Sequence, residues 1–211
     1  VFAGLTDYVE SEGCDRENMR LPENQLALID ALVKADKKIV VVLYGGSPME
    51  LPFADEVGAI LDMYLPGQNG GTATYNLLFG KKSPCGKLAE TWVKSYADVP
   101  FGTNFSKTVN EIYKESVFVG YRYYLTAHRE VRYPFGYGLS YTSFDYSDML
   151  VEETDGEYKV SCKLANVGKF DGAEIVQLYV KAPQGVFKPK KELKGFVKGY
   201  LKAGERNRTV G

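Results

Sequence analysis

The run Lys38-Ile39-Val40-Val41-Val42-Leu43-Tyr44 constrains this chain more than any other stretch. It is β-branched, shows no polar alternation and stops at Gly45-Gly46-Ser47-Pro48, the pattern of a strand buried on both faces. Such a strand belongs inside a parallel sheet covered by helices. The flanks agree. Val1-Phe2-Ala3-Gly4-Leu5 is a short apolar, strand-like segment. Leu26, Ile29, Leu32 and Val33 recur at helical spacing between Asn24 and Lys37, and Pro22 suits the first residue of that helix. Beyond the run, Phe53 to Glu56 reads as a short helical turn, Ala59 to Tyr64 as a third strand, and Gly70 to Phe79 as a helix closed by Gly80. The alternation is βαβαβα. Right-handed crossovers of this length give a largely parallel sheet flanked by helices, a doubly wound α/β layer.

The pattern changes after Trp92, with an irregular stretch through Asp98-Val99-Pro100-Phe101-Gly102 and then the aromatic cluster Phe118, Tyr121, Tyr123 and Tyr124. From Phe144 onward the reading is all β. Tyr158 to Leu164 alternates and Ile175 to Val180 is a strand. Asn166-Val167-Gly168 and Asp171-Gly172 supply turns between them. The expected organisation is an α/β sandwich over residues 1–140, with a connecting segment from about 98, then an immunoglobulin-like β-sandwich over 141–211. The chain opens on Val1 inside a strand-like run and closes on Thr209-Val210-Gly211 where a strand begins, so both ends are expected to be cut.

Composition narrows the function classes. The 211 residues are 45% hydrophobic, ample for a globular core, and the formal net charge of -1 lacks the basic footprint of a nucleic-acid binder. No apolar run reaches the length of a membrane span, so neither nucleic acid nor membrane is an expected partner. Association between copies of the chain is left open. Cys14, Cys85 and Cys162 are odd in number and widely spaced, which gives no disulfide framework and no zinc spacing. Free thiols in a reducing, cytoplasmic compartment are expected, with no metal and no cofactor. A Cys14 nucleophile would need His128, the single histidine, as its base. His128 sits in Thr126-Ala127-His128-Arg129-Glu130, which reads as an exposed turn, so a pocket-lining Cys14 is preferred.

The stretch with chemical promise is Glu10-Ser11-Glu12-Gly13-Cys14-Asp15-Arg16. It follows the first strand, and open α/β sheets bind ligands beyond the carboxyl ends of their strands. Two carboxylates beside a glycine can present an acid to a ligand, although an acidic loop of this kind is also a common solvated loop. Gly67-Gln68-Asn69-Gly70-Gly71 precedes a helix but lacks the lysine and hydroxyl of a phosphate loop, so close packing of strand, turn and helix is its expected role. The 16 tyrosines offer stacking platforms for sugar rings, and are more simply core.

Four runs together resemble glycoside hydrolase family 3: Glu10 to Arg16, Pro66 to Gly71, Gly120-Tyr121-Arg122-Tyr123-Tyr124, and Phe135-Gly136-Tyr137-Gly138-Leu139-Ser140-Tyr141. Ser83 to Leu88 and Gly172 to Tyr179 extend the likeness over essentially the whole chain. The resemblance implies the C-terminal portion of a β-glucosidase-like enzyme: an α/β sandwich followed by part of a fibronectin type III-like domain. It implies Glu12 as the catalytic acid/base, with Glu10 in reserve and Asp15 and Arg16 supporting the loop through charge-assisted hydrogen bonds. The position after the glycine, often aromatic in the family, is Cys14 here. The implied substrate is a β-glycoside or oligosaccharide, and the implied partner is a barrel domain of the same enzyme that carries the aspartate nucleophile. A non-catalytic carbohydrate-binding module and a purely structural module are the alternatives.

Overall fold

In the computed structural model, which describes residues 1–102, 109–110, 112–206 and 208–210, the β-branched run forms the middle strand of a three-stranded parallel sheet. The strands are β1 (Phe2–Gly4), β2 (Val40–Tyr44) and β3 (Ala59–Asp62), in the order β1-β2-β3. Val41 and Leu43 are fully buried and Val42 nearly so, as a strand covered on both faces demands. The register pairs Gly4 with Tyr44 and Leu43 with Asp62, which brings all three carboxyl ends to one edge.

Helix α1 (Glu23–Lys34) turns Leu26, Ile29, Leu32 and Val33 inward, with Ile29 fully buried. Pro22 is its N-cap rather than its first residue, with an extended ψ of 138°. The crossover from β2 to β3 holds the short helical turn expected at Phe53 to Glu56 and no regular helix: residues 52–56 form turns in which the Leu51 carbonyl accepts from the Ala54 N–H at 3.1 Å and the Phe53 carbonyl from the Glu56 N–H at 2.9 Å. Pro48 and Pro52 each remove a backbone donor there, while Met49, Leu51 and Phe53 are buried one by one. After a 3-10 turn over Gly67–Asn69, helix α2 runs Gly70–Leu78. The close packing expected of the Gly67 run is present at Gly70, where a Cβ would meet Pro66 Cγ at 2.6 Å.

The chain forms two compact units. The first comprises Val1–Thr74, Glu90–Ser116 and Glu130–Pro134, and the second comprises Tyr75–Ala89, Val117–Arg129 and Phe135–Gly211. In the second, helix α3 (Tyr121–Thr126) buries Tyr121 and Tyr124. Six residues are too few for helical periodicity to declare itself, so sequence reading saw an aromatic cluster and no helix. Tyr121 stacks on Phe135 at 4.5 Å and its hydroxyl accepts from the Leu193 N–H at 2.8 Å. His128 lies in the exposed turn that follows.

The strands of this unit are antiparallel, as expected. β4 (Phe144–Thr154) and β5 (Glu157–Asn166) form a hairpin through Asp155 and Gly156, both with positive φ, the two-residue turn that matches strand twist. β6 (Gly172–Lys181) pairs with β7 (Lys191–Leu201), and β8 (Arg208–Val210) pairs with β5. The strand start expected at Thr209 is therefore β8, and Gly211 lies outside the described residues, as do residues 103–108 of the connecting stretch. Leu164 and Leu201 are fully buried among Phe144, Cys162, Val176 and Val197. Beside them the buried Asn166 is satisfied. Its Oδ1 accepts from Thr142 and the Gly168 N–H, and its Nδ2 donates to the Phe170 and Leu201 carbonyls.

Candidate functional site

The carboxyl edge of the parallel sheet gathers three loops of the first unit. The loop after β1 begins with a turn in which the Thr6 carbonyl accepts from the Val9 and Glu10 N–H groups at 2.8 and 2.9 Å. It then narrows to a β-bridge between Ser11 and Cys14, closed by the Cys14 N–H donating to the Ser11 carbonyl at 3.3 Å. Gly13 holds the turn with φ of +79°, a conformation open to glycine and costly for most residues. Glu12 therefore sits at the exposed tip, with Cys14 and Asp15 exposed beyond it.

Glu10, two residues before the tip, is half-buried and points the other way. Its Oε2 accepts from the Gly46 N–H at 2.7 Å and its Oε1 accepts from the Ser47 hydroxyl. Arg16, four residues after the tip, reaches the same segment. One guanidinium nitrogen donates to Ser47 Oγ at 2.8 Å and to the Pro48 carbonyl at 3.2 Å. Burial lowers the Arg16 pKa from its ordinary value, and the carboxylate that counters this is Glu10. The neighbour expected to support the loop with Arg16 was Asp15, which is exposed. Nε and the second terminal nitrogen of Arg16 are buried without a partner among the described residues.

Sequence reading missed a second group on this edge. Asp62 closes β3 and accepts from the Tyr64 N–H at 3.2 Å through Oδ1, while Oδ2 is buried without a partner among the described residues. Burial pushes the Asp62 carboxyl up to about 6, the Tyr64 N–H working against the rise and Glu90 adding to it. The Tyr64 hydroxyl, pushed up to about 12 by burial and by the charges of Glu90 and Asp62, donates to Glu90 Oε1 at 3.3 Å. Glu90 is itself raised by burial, with a contribution from Glu10. Tyr64 adopts φ of +48°, and Trp92, almost fully buried, lies beside its hydroxyl and opposes the rise in the Tyr64 pKa. An acid inside the otherwise apolar run Ala59 to Tyr64 was the available clue. Strain and buried polar groups of this kind concentrate at functional sites.

Chemically, the edge offers one exposed carboxylate on a tight turn, an anchored carboxylate behind it, and two half-buried carboxyl groups, Asp62 and Glu90, joined through Tyr64 alongside. Among the described residues no three His, Cys, Asp or Glu side chains gather as a metal site, and no helix is long and apolar enough to cross a membrane.

Comparison with known proteins gives two family matches. The family model described as the glycosyl hydrolase family 3 C-terminal domain matches residues 1–141, and that of a fibronectin type III-like domain matches 174–210. Thermostable beta-glucosidase B of Acetivibrio thermocellus is 50% identical over 97% of the chain, which spans 28% of that protein's length. An exo-alpha-(1->6)-L-arabinopyranosidase of Bifidobacterium longum is 42% identical over the whole chain, which again spans 28% of its length. The crystal structure of beta-glucosidase from Kluyveromyces marxianus in complex with glucose superposes with a TM-score of 0.94 at 40% identity, covering 99% of this chain and 26% of that one.

Proposed function

Since the chain belongs to glycosyl hydrolase family 3, we propose that it is the C-terminal part of a retaining β-glycosidase acting on terminal non-reducing β-D-glucosyl or β-D-xylosyl residues, with Glu12 as its general acid/base. The observation that carries this reading is the placement of Glu12. It is the exposed acid at the tip of a turn on the carboxyl edge of a parallel sheet, where the loop on either side is tied to the protein.

Retaining hydrolysis uses two carboxyl groups about 5 Å apart. In the first step the other carboxylate attacks the anomeric carbon while the Glu12 carboxyl gives its proton to the departing oxygen, so one C–O bond forms as the glycosidic bond breaks. In the second, the Glu12 carboxylate takes a proton from water, whose oxygen displaces the ester and regenerates both groups. The attacking carboxylate is assigned to the length that the relatives possess beyond these 211 residues. The chain by itself is accordingly expected not to turn over substrate.

The experiment is hydrolysis of aryl β-glucosides and β-xylosides by the longer protein carrying this chain, wild type against Glu12→Ala, with and without azide. A loss greatest for poor leaving groups, together with azide rescue as a β-glycosyl azide, supports the reading. Unchanged rates would remove Glu12 from the chemistry, and robust hydrolysis by the 211-residue chain alone would overturn the two-part site.

A further inference from the structure

Resting on the acid/base reading of Glu12, we propose that Glu10 and Arg16 are positioning residues: together with Ser47 they clamp both flanks of the Glu12 turn onto the segment after β2 and so set where the acid is held. Glu12 touches the reacting oxygen in this scheme, and the clamp acts only through it.

The geometry is specific. Glu10 precedes the tip by two residues and Arg16 follows it by four, yet both end on Gly46-Ser47-Pro48. Ser47 is the shared node, because its hydroxyl donates to Glu10 Oε1 while its oxygen accepts from Arg16 at 2.8 Å. The Gly46 N–H and the Pro48 carbonyl extend the contact by one residue to either side, at 2.7 and 3.2 Å. A carboxylate and a guanidinium are thus coupled through a hydroxyl, and the charge-assisted bonds at each end are stronger than neutral ones. The turn itself supplies little restraint of its own. Between the anchors its internal closure is a single bridge, Ser11 to Cys14. Four bonds to the sheet edge therefore fix the five residues between Glu10 and Arg16, which would otherwise swing.

Reserving Glu10 as a second acid conflicts with this arrangement. Both of its oxygens are engaged by donors of the protein itself, on the side of the loop facing β2. Asp15 is adjacent to Arg16 in sequence, but Glu10 is the carboxylate acting on that guanidinium.

Positioning and mere stability separate by leaving group. A displaced acid costs most where protonation of the departing oxygen is needed, and general-acid assistance is worth about 100-fold to 10,000-fold. In the longer protein, Glu10→Ala is expected to lower kcat/KM for alkyl β-glucosides by about 10-fold to 100-fold, as a displacement of about 1 Å does. For the 2,4-dinitrophenyl β-glucoside the same variant should stay within about threefold, since a good leaving group needs little acid. Glu10→Gln, which keeps an oxygen for the Gly46 N–H, should recover part of the loss. Should Glu10→Ala fail to fold, Ser47→Ala removes only the node and should show the same split at smaller amplitude.

Equal losses on both substrates, or no loss on either, overturn the clamp while leaving the acid/base reading intact, provided Glu12→Ala shows its own leaving-group split and azide rescue. If Glu12→Ala shows neither, the acid/base reading falls and the clamp falls with it.

Discussion

The Gln25 carboxamide closes the open edge of β1 by bonding both backbone groups of Gly4. The Gly4 N–H donates to Gln25 Oε1 at 2.8 Å, and Gln25 Nε2 donates to the Gly4 carbonyl at 3.1 Å. Leu5 N–H faces β2, donating to the Tyr44 carbonyl at 2.9 Å, so by alternation the Gly4 groups face outward. A side chain of α1 thereby does what a neighbouring strand would do, at the last strand residue before the Glu12 loop. Replacing Gln25 by Met leaves both groups unpaired and is expected to cost about 1–3 kcal/mol. Gln25→Glu keeps the acceptor but sets a carboxylate oxygen against the Gly4 carbonyl. Its folded pKa would be raised, so the variant should be least stable near pH 7 and regain stability as the pH falls through the carboxyl range. Urea titrations of the variant and the wild type at pH 4.5 and 7 check this, and a Gln25→Glu variant whose stability difference from the wild type is the same at both pH values would show that the carboxylate does not face the Gly4 carbonyl.

Asp62 gives the wild-type chain its own pH dependence. Its folded pKa of about 6 lies above the ordinary value near 3.8, with burial as the main cause. Below the ordinary value both the folded and unfolded chains hold the proton. As pH rises through the interval up to about 6, the unfolded chain releases the proton first, so stability falls across that window and then levels. The group keeps partial contact with water, so the expected loss is about 1 kcal/mol. Asp62→Asn should remove the slope, and Glu90→Gln should lower the Asp62 midpoint, because the Glu90 charge contributes to the rise. Carboxyl carbon NMR titration reads both directly, and an Asp62 midpoint below 4.5 in the wild type would refute the assignment.

The parallel sheet was legible because its middle strand carries its burial in one-dimensional form. Val41 to Leu43 needs no partner to announce that both faces are covered. The β4–β5 hairpin, turned by Asp155 and Gly156 at positive φ, was not singled out in the sequence. The site was half legible. Glu12 and Gly13 are adjacent, so a single turn places them and a motif can carry them. The Glu10 anchor and the Asp62–Tyr64–Glu90 group depend on partners separated by up to 37 residues in sequence, at Ser47, and by 26, at Glu90. Only the sheet register brings those partners together, and no local pattern encodes it. Between β2 and β3 the short helical turn expected at Phe53 to Glu56 is present as hydrogen-bonded turns and extends no further.

In the second unit, Lys87 and Glu174 form a buried ion pair at 2.9 Å with side chains only 14% and 12% exposed. Lys87 Nζ also donates to the Gly138 carbonyl at 2.7 Å. The glycine is required there, since a Cβ would lie 2.1 Å from the Gly86 carbonyl oxygen. Removing one partner strands the other charge, so Lys87→Met is expected to destabilise by about 3 kcal/mol. The double replacement Lys87→Met with Glu174→Leu should recover much of that, because an apolar pair of similar size needs no desolvated charges. A double-mutant cycle by thermal melting checks the coupling, and additive losses would show that the two charges are independent.

Gly13 tests whether the shape of the acid's turn matters apart from the clamp. Its φ is +79° and no atom stands within 4 Å of a Cβ built there, so a substitution meets backbone strain and no steric obstacle. Gly13→Ala should cost about 1–2 kcal/mol of local turn energy, the penalty of an L-residue in the left-handed region. Gly13→Asn should cost less, because asparagine visits that region with local hydrogen bonding. In the longer protein the order of kcat/KM on alkyl glucosides should therefore be Gly13, then Asn, then Ala, with the melting temperature little changed because the turn is exposed. If Ala and Asn behave alike, left-handed geometry is not what presents Glu12, and the bonds at Ser47 and Gly46 would have to carry the positioning unaided.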